Sequence, residues 1–238
     1  MNYQELNFKD NQVKSDKTIV LLHGWGQNIE MMEPIANNFQ EHRTIIIDLP
    51  GHGNTKVPEQ ALSLNEIVEL VHELLNSLNI KKPILIGHSF GGKISLIYSS
   101  IYEVEKLVLL AAPYKKSTKK PKLSYRIFRN IRYLPGGEKI LNKYKEKKGS
   151  TDYRNASPIM RDTLVKHVNT DAVENAKNIK CPTLIIWGTK DDAVPVNDAY
   201  DLEKLIKDSG VVIYKNSTHY AYLENLPNLI KVLKVFFK

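Results

Sequence analysis

Cysteine is almost missing from these 238 residues: Cys181 stands alone, which excludes an intramolecular disulfide and suits a reducing compartment. It lies in "IKCPTLIIW", at the mouth of an apolar run, with no histidine beside it to generate a thiolate, and so reads as packing. No stretch approaches the roughly 18 apolar residues that a membrane span needs. The N-terminus, "MNYQELNFKDNQVKSDK", lacks the basic start and apolar run of a secretory leader. Together these absences set the expectation of a soluble, cytoplasmic protein. Clusters of His, Cys and Asp at metal-ligand spacing are also missing, as are a phosphate loop and a dinucleotide fingerprint; "GHSFGG" is not G-x-G-x-x-G. No metal or organic cofactor is expected.

Acidic residues are scarce in one place. Residues 115–148 carry 13 Lys and Arg against Glu138 and Glu146, so this segment holds +11 while the remainder sums to −3 within the overall +8. An excess this local argues against a whole-protein nucleic-acid surface. The charges interleave with apolar positions at helical spacing and read as the solvated face of amphipathic helices. Attraction to an acidic substrate or an anionic lipid surface is the alternative.

Six apolar runs of strand length recur, at 18–24, 44–51, 83–89, 106–113, 182–188 and 211–216. Their continuous hydrophobicity predicts strands covered on both faces, as in a parallel sheet. "NYQELNF" offers a further edge strand. Helical patterns lie between the runs. In 63–80, Leu64, Ile67, Val68, Val71, Leu74, Leu75 and Leu78 recur at three- and four-residue steps behind a Ser63/Glu66 capping box. Others are predicted after Ser89 and over about 29–40, 196–208 and 220–237. The fold class is therefore α/β, a mostly parallel central sheet flanked by helices. The alternation stops after residue 113, and roughly 70 residues read as helices, along 123–134 and 157–168. A structureless loop of that length is improbable. The expected organisation is one core from 1–113 and 177–238, interrupted by a helical lid over 114–176.

In "LIGHSFGGK", Ser89 sits where an apolar run ends and a helical pattern begins. A serine hydroxyl is a poor nucleophile unless a base, an orienting acid and oxyanion donors surround it. Gly87 to Gly91 match G-x-S-x-G in the strand-then-helix setting that this elbow requires. Gly87, Gly91 and Gly92 supply the bare positions that let strand and helix approach. "GTKDDAVP" then places Asp191 and Asp192 at a strand's C-terminal end, where open α/β sheets build their sites, and "KNSTHYAYLENLP" places His219 after the last strand. The order is Ser, acid, His, with a spacing of 28 from Asp191 to His219 that leaves room for one helix and one strand.

With "HGWGQN" at 23–28, "DLPGHGNT" at 48–55, "GHSFGG" at 87–92, "WGTKDDAVP" at 187–195 and "STHYAYLENLP" at 217–227, the chain resembles the α/β-hydrolase superfamily over nearly its whole length. The likeness is narrower to small lidded serine hydrolases of the carboxylesterase and meta-cleavage-product hydrolase type. It implies Ser89 as nucleophile, His219 as base and Asp191, in the G-x-x-D-x-x-x-P pattern, as acid, with Asp192 a solvated neighbour. It implies oxyanion donors in the backbone N–H groups of Phe90 and Trp25, with the Trp25 side chain facing the acyl pocket. His23, His52 and His88 fall in turns of the family type and read as structural hydrogen bonders, whereas His42, His72 and His167 lack a motif and are expected at the surface. A serine at the elbow argues against the haloalkane dehalogenase and epoxide hydrolase branches, which place an aspartate there. The expected activity is carboxylic ester hydrolysis on a small-molecule substrate, with no nucleic-acid partner. Carbon–carbon bond hydrolysis of a vinylogous diketone is the alternative, and thioesters, lactones and amides stay open. A ligand receptor with a vestigial triad is the alternative of another class.

Overall fold

The computed structural model describes residues 1–116 and 150–238. Its strands are β1 (Phe8–Asp10), β2 (Thr18–Leu22), β3 (Arg43–Ile47), β4 (Ile84–His88), β5 (Lys106–Leu110), β6 (Thr183–Gly188) and β7 (Ser209–Tyr214), hydrogen-bonded in the order β1-β3-β2-β4-β5-β6-β7. Every pairing is parallel except that of β1 with β3. The helices are α1 (Glu33–Ala36), α2 (Leu64–Ser77), α3 (Ser89–Ile101), α4 (Thr151–Asn155), α5 (Pro158–Asn169), α6 (Val173–Lys177), α7 (Asn197–Leu205), α8 (Ala221–Glu224) and α9 (Leu226–Phe236). None among the described residues is long and apolar enough to cross a membrane.

Why the strands read as unbroken apolar runs is visible in β2. Val20 and Leu22 enter one core cluster, with Ile67 and Val71 of α2, Phe90 and Ile94 of α3 and Leu202 of α7. Ile19 and Leu21 enter the other, with Ile35 of α1 and Leu229 and Leu233 of α9. Successive strand residues point to opposite faces, and both faces are covered, so both must be apolar.

Several local readings need correction. The edge strand begins at Phe8, opposite Ile47, and residues Tyr3–Glu5 form a 3-10 turn instead. Asn2 Oδ1 accepts from Gln4 N–H and Glu5 Oε2 from Asn2 N–H, so local side chains take the backbone groups a strand would offer. The helix expected over 29–40 is a 3-10 turn, Ile29–Met31, followed by the four residues of α1, because Pro34 has no N–H to return to the preceding turn. The helix expected over 220–237 is broken at Asn225, with Pro227 in the first turn of α9.

Of the expected lid, residues 117–149, including the helix over 123–134, lie outside the described residues. Residues 150–176 supply α4, α5 and most of α6. Thr163 Oγ1 of α5 accepts from Leu62 N–H at 3.2 Å. Lys93 of α3, itself buried, donates from Nζ to two carbonyls at the C-terminal end of α5, His167 O at 3.1 Å and Thr170 O at 2.6 Å. Ala172 N–H donates to Tyr114 O at 2.8 Å, closing the described ends of the insertion on each other.

Gly91 shows how tightly the elbow is packed. Its N–H donates to His23 O at 3.0 Å, and a Cβ there would stand 2.4 Å from Leu22 O and 2.5 Å from His23 O. Backbone cannot yield as a side chain does. Gly91→Ala should therefore destabilise by about 3 kcal/mol, the upper range for overpacking. Gly210→Ala, where a Cβ meets nothing within 4 Å, should stay within about 0.5 kcal/mol of the parent. Urea unfolding of the two variants side by side checks this; equal midpoints would contradict the packing argument.

Candidate functional site

The sheet order reverses between β2 and β4, the crevice position at which open α/β sheets bind ligands. The loop after β2 carries Gly24 to Gln27, and Ser89 follows β4 directly. Ser89 has φ of 49°, a left-handed conformation that a side-chain-bearing residue rarely adopts, and it starts α3 without an intervening loop. That turn is strained and is held by the close strand–helix contacts of Gly87 and Gly91.

The hydroxyl thereby reaches His219: Oγ lies 2.9 Å from Nε2, and Nδ1 lies 2.8 Å from Asp191 Oδ2. Asp191, its side chain wholly buried, uses Oδ1 to accept from Ala193 N–H at 2.9 Å and Val194 N–H at 2.8 Å. Asp192 is exposed. Of the adjacent carboxylates, Asp191 meets the imidazole, and its orientation is locked by the turn behind it. The acid and base loops are also tied to each other. Lys190 N–H donates to Ser217 O at 2.8 Å, and a Cβ on Gly188 would stand 2.2 Å from that oxygen.

Around this chain lies a cluster of rings, of which His23, His52, His88 and Phe90 are buried and Trp25 is half-buried. Trp25 packs edge-on against Phe90 at 5.1 Å and His52 at 4.9 Å. Thus the two residues expected to offer oxyanion donors are neighbours. Phe90 N–H lies in the first turn of α3, where helical N–H groups have no intrahelical acceptor. His23 Nδ1 donates to Gly24 O at 2.7 Å, its Nε2 accepts from Leu49 N–H at 3.0 Å, and burial pulls its pKa down to about 4. Burial likewise lowers His52, whose Nδ1 is 2.9 Å from Pro50 O, and holds His88 down to about 3. All three remain neutral structural groups near pH 7.

A sequence profile described as alpha/beta hydrolase fold matches residues 17–128. The AB hydrolase superfamily protein YisY of Bacillus subtilis (strain 168) is 28% identical over 245 residues, covering 92% of this chain and 91% of that one. The chain has the α/β-hydrolase fold. Lipase 1 of Psychrobacter immobilis is 25% identical over 266 residues, covering 96% of this chain and 79% of its own. Among solved structures, an esterase from Exiguobacterium antarcticum superposes with a TM-score of 0.75 at 21% identity, covering 97% of this chain and 94% of that one, which shows the shared fold.

A cleft of about 420 Å³ is lined by Trp25, Gln27, His52, Met160 and Tyr220 among others; Tyr220 adjoins His219 in sequence, and Trp25 packs on Phe90, the residue after Ser89. A larger hollow of about 520 Å³ around Lys14, Arg43 and Lys81 adjoins the N-terminal ends of β2 and β3, away from the chemistry. Among the described residues no group of three or more His, Cys, Asp or Glu could hold a metal ion.

His167 differs from expectation. It is buried, edge-on to Phe90 at 4.8 Å, with no partner for Nδ1 among the described residues and its pKa held to about 3 by burial. His42 and His72 are half-buried, His72 stacked on Tyr102 at 3.5 Å. Sequence reasoning also passed over Glu224, which accepts from Thr218 N–H at 2.9 Å and from Thr218 Oγ1, clamping the residue before His219. Those bonds hold the Glu224 pKa below the usual carboxylate range.

Proposed function

We propose that this α/β-hydrolase-fold protein cleaves carboxylic esters of small or medium acyl size through an acyl-enzyme on Ser89. The observation that carries the proposal is the continuous contact from Ser89 Oγ to His219 Nε2 at 2.9 Å and from His219 Nδ1 to Asp191 Oδ2 at 2.8 Å. Ser89 Oγ attacks the ester carbonyl as its proton passes to His219 Nε2, while Asp191 fixes the imidazole tautomer and balances its positive form. The oxyanion takes the backbone N–H groups of Phe90 and Trp25. His219 returns the proton to the departing alcohol, and water repeats the sequence to release the acid and restore Ser89. The steps consume only ester and water. The lipase name of a relative at 25% identity supports an ester over other acyl compounds. The cleft of about 420 Å³ falls in the lower part of the range for small-molecule sites, roughly 300–1,000 Å³, and the Trp25 ring forms part of its wall. Residues 114–176 act as the lid that sets substrate choice.

The test is turnover of p-nitrophenyl esters from acetate to dodecanoate by the parent and by Ser89→Ala. Serine-dependent hydrolysis with an optimum at short or medium chains is expected. Equal rates in both proteins across the panel would contradict the proposal.

A further inference from the structure

His88, the last residue of β4 and the neighbour of the strained Ser89, has a fully buried ring that touches two loops at once. Its Nε2 lies 3.1 Å from the backbone carbonyl of His219, and its Nδ1 lies 3.2 Å from Gln27 Oε1. That oxygen accepts from Gly24 N–H at 2.8 Å, while Gln27 N–H donates back to Gly24 O at 3.2 Å, so the Gln27 side chain closes the turn that contains Trp25. The ring is wedged with no spare volume. A Cβ on Gly24 would stand 2.8 Å from His88 Nδ1, and the rings of Tyr222 and His219 flank it at 4.7 and 4.9 Å.

We propose that His88 and Gln27 form a positioning pair, a strut that sets the separation between the Gly24–Gln27 loop and the His219 loop. This rests on the ester-hydrolase reading above, in which the first loop supplies the second oxyanion donor and the second supplies the base. The argument is one of leverage. Trp25 N–H and His219 follow different strands 194 residues apart in sequence, and each must hold its place relative to Ser89 within a fraction of an ångström. One side chain rooted in the nucleophile's own strand contacts both. The Gly24 N–H makes Gln27 Oε1 an acceptor, and His219 O is an acceptor by nature. A neutral imidazole has one N–H, so His88 donates to one of these oxygens at a time, and its other nitrogen makes no hydrogen bond to the second. Neutrality serves the reaction, because a charged ring here would repel the imidazolium that His219 becomes. The contacts are equal in ground and transition states, yet what they position is used only in the transition state. Their loss therefore appears in kcat rather than in KM.

Three variants test the strut against p-nitrophenyl butyrate, each with its unfolding midpoint measured. His88→Phe keeps an aromatic ring, though a larger one whose fit the unfolding midpoint reports, and removes the polar contacts; kcat should fall about 100-fold with KM within about threefold. His88→Gln keeps a donor directed at His219 O and should restore kcat to within about fivefold of the parent. Gln27→Leu should lower kcat about tenfold and add little in the His88→Phe background, since both belong to one chain of contacts. Should His88→Phe fail to fold, His88→Gln and Gln27→Leu still decide the matter through kcat. Losses that follow the unfolding midpoint, equal losses in His88→Phe and His88→Gln, or full additivity with Gln27→Leu would each overturn the strut. An inert parent would be a failure of the ester reading instead. The strut would then be read from the low-field Nδ1–H proton resonance of His219, which should move in His88→Phe and stay in His88→Gln; no movement in His88→Phe would overturn it.

Discussion

Ser89→Ala and His219→Ala are each expected to lower kcat for ester hydrolysis by about 10⁴-fold or more, and the double variant to lose no more than the worse of the two. The non-additivity is the informative part. Once the hydroxyl is gone, His219 has no proton to accept, and without His219 the hydroxyl at 2.9 Å has no base, so either change disables the same event. Asp191→Asn should cost about 10³ to 10⁴. Its amide would turn a donor toward His219 Nδ1 or surrender the bonds from Ala193 and Val194, and either choice favours the wrong imidazole tautomer. Asp192→Asn, at an exposed position that makes none of these contacts, should remain within about twofold of the parent. Single-turnover kinetics on the parent and the five variants checks the set, and a loss in Asp192→Asn equal to that in Asp191→Asn would reverse the assignment.

The second large effect is on acid stability. His23, His88 and His167 are buried and neutral, with pKa values pulled by burial from 6.5 to about 4, about 3 and about 3. The unfolded chain titrates these groups near 6.5, so below that pH it binds protons the native state refuses. Stability is fully present above pH 6.5 and is lost as pH falls toward the depressed values. Each group costs ~1.4 kcal/mol per pH unit, so three groups at pH 5 remove up to about 6 kcal/mol, a large share of the 5–15 kcal/mol typical of a domain. His23 and His88 repel each other when charged, which makes that sum an upper figure. His167→Leu, which removes from an apolar contact with Phe90 an Nδ1 that has no partner among the described residues, should shrink the difference between pH 7 and pH 5 by about 2 kcal/mol. Urea unfolding at the two pH values measures it. Equal midpoints at pH 7 and 5 would show that these rings are not held neutral.

The parts of the fold legible in the sequence are those set by local chemistry. Strands β2 to β7 announced themselves because a sheet covered on both faces demands apolar residues without alternation, and Gly87, Gly91 and Gly92 marked a close approach that their neighbours require. Asp191 and His219 were legible from their places after β6 and β7, although choosing Asp191 over Asp192 rested on the resemblance until the 2.8 Å contact was seen. The burial of His167 had a local signal that went unused: Met160, Thr163, Leu164 and His167 fall on one helical face, and all four are buried. Pro34 and Pro227 likewise announced breaks within helices read as continuous. What no local pattern carries is contact between distant segments. Gln27 meets His88 across 61 residues and His88 meets His219 across 131, and only the assembled sheet brings them together.

The most direct test of the central claim is to label the protein with a fluorophosphonate and locate the adduct by peptide mass spectrometry. The account predicts one adduct per chain, on Ser89, lost in Ser89→Ala and greatly slowed in His219→Ala. An adduct on any other residue, or an unlabelled Ser89 in a folded parent, would contradict it.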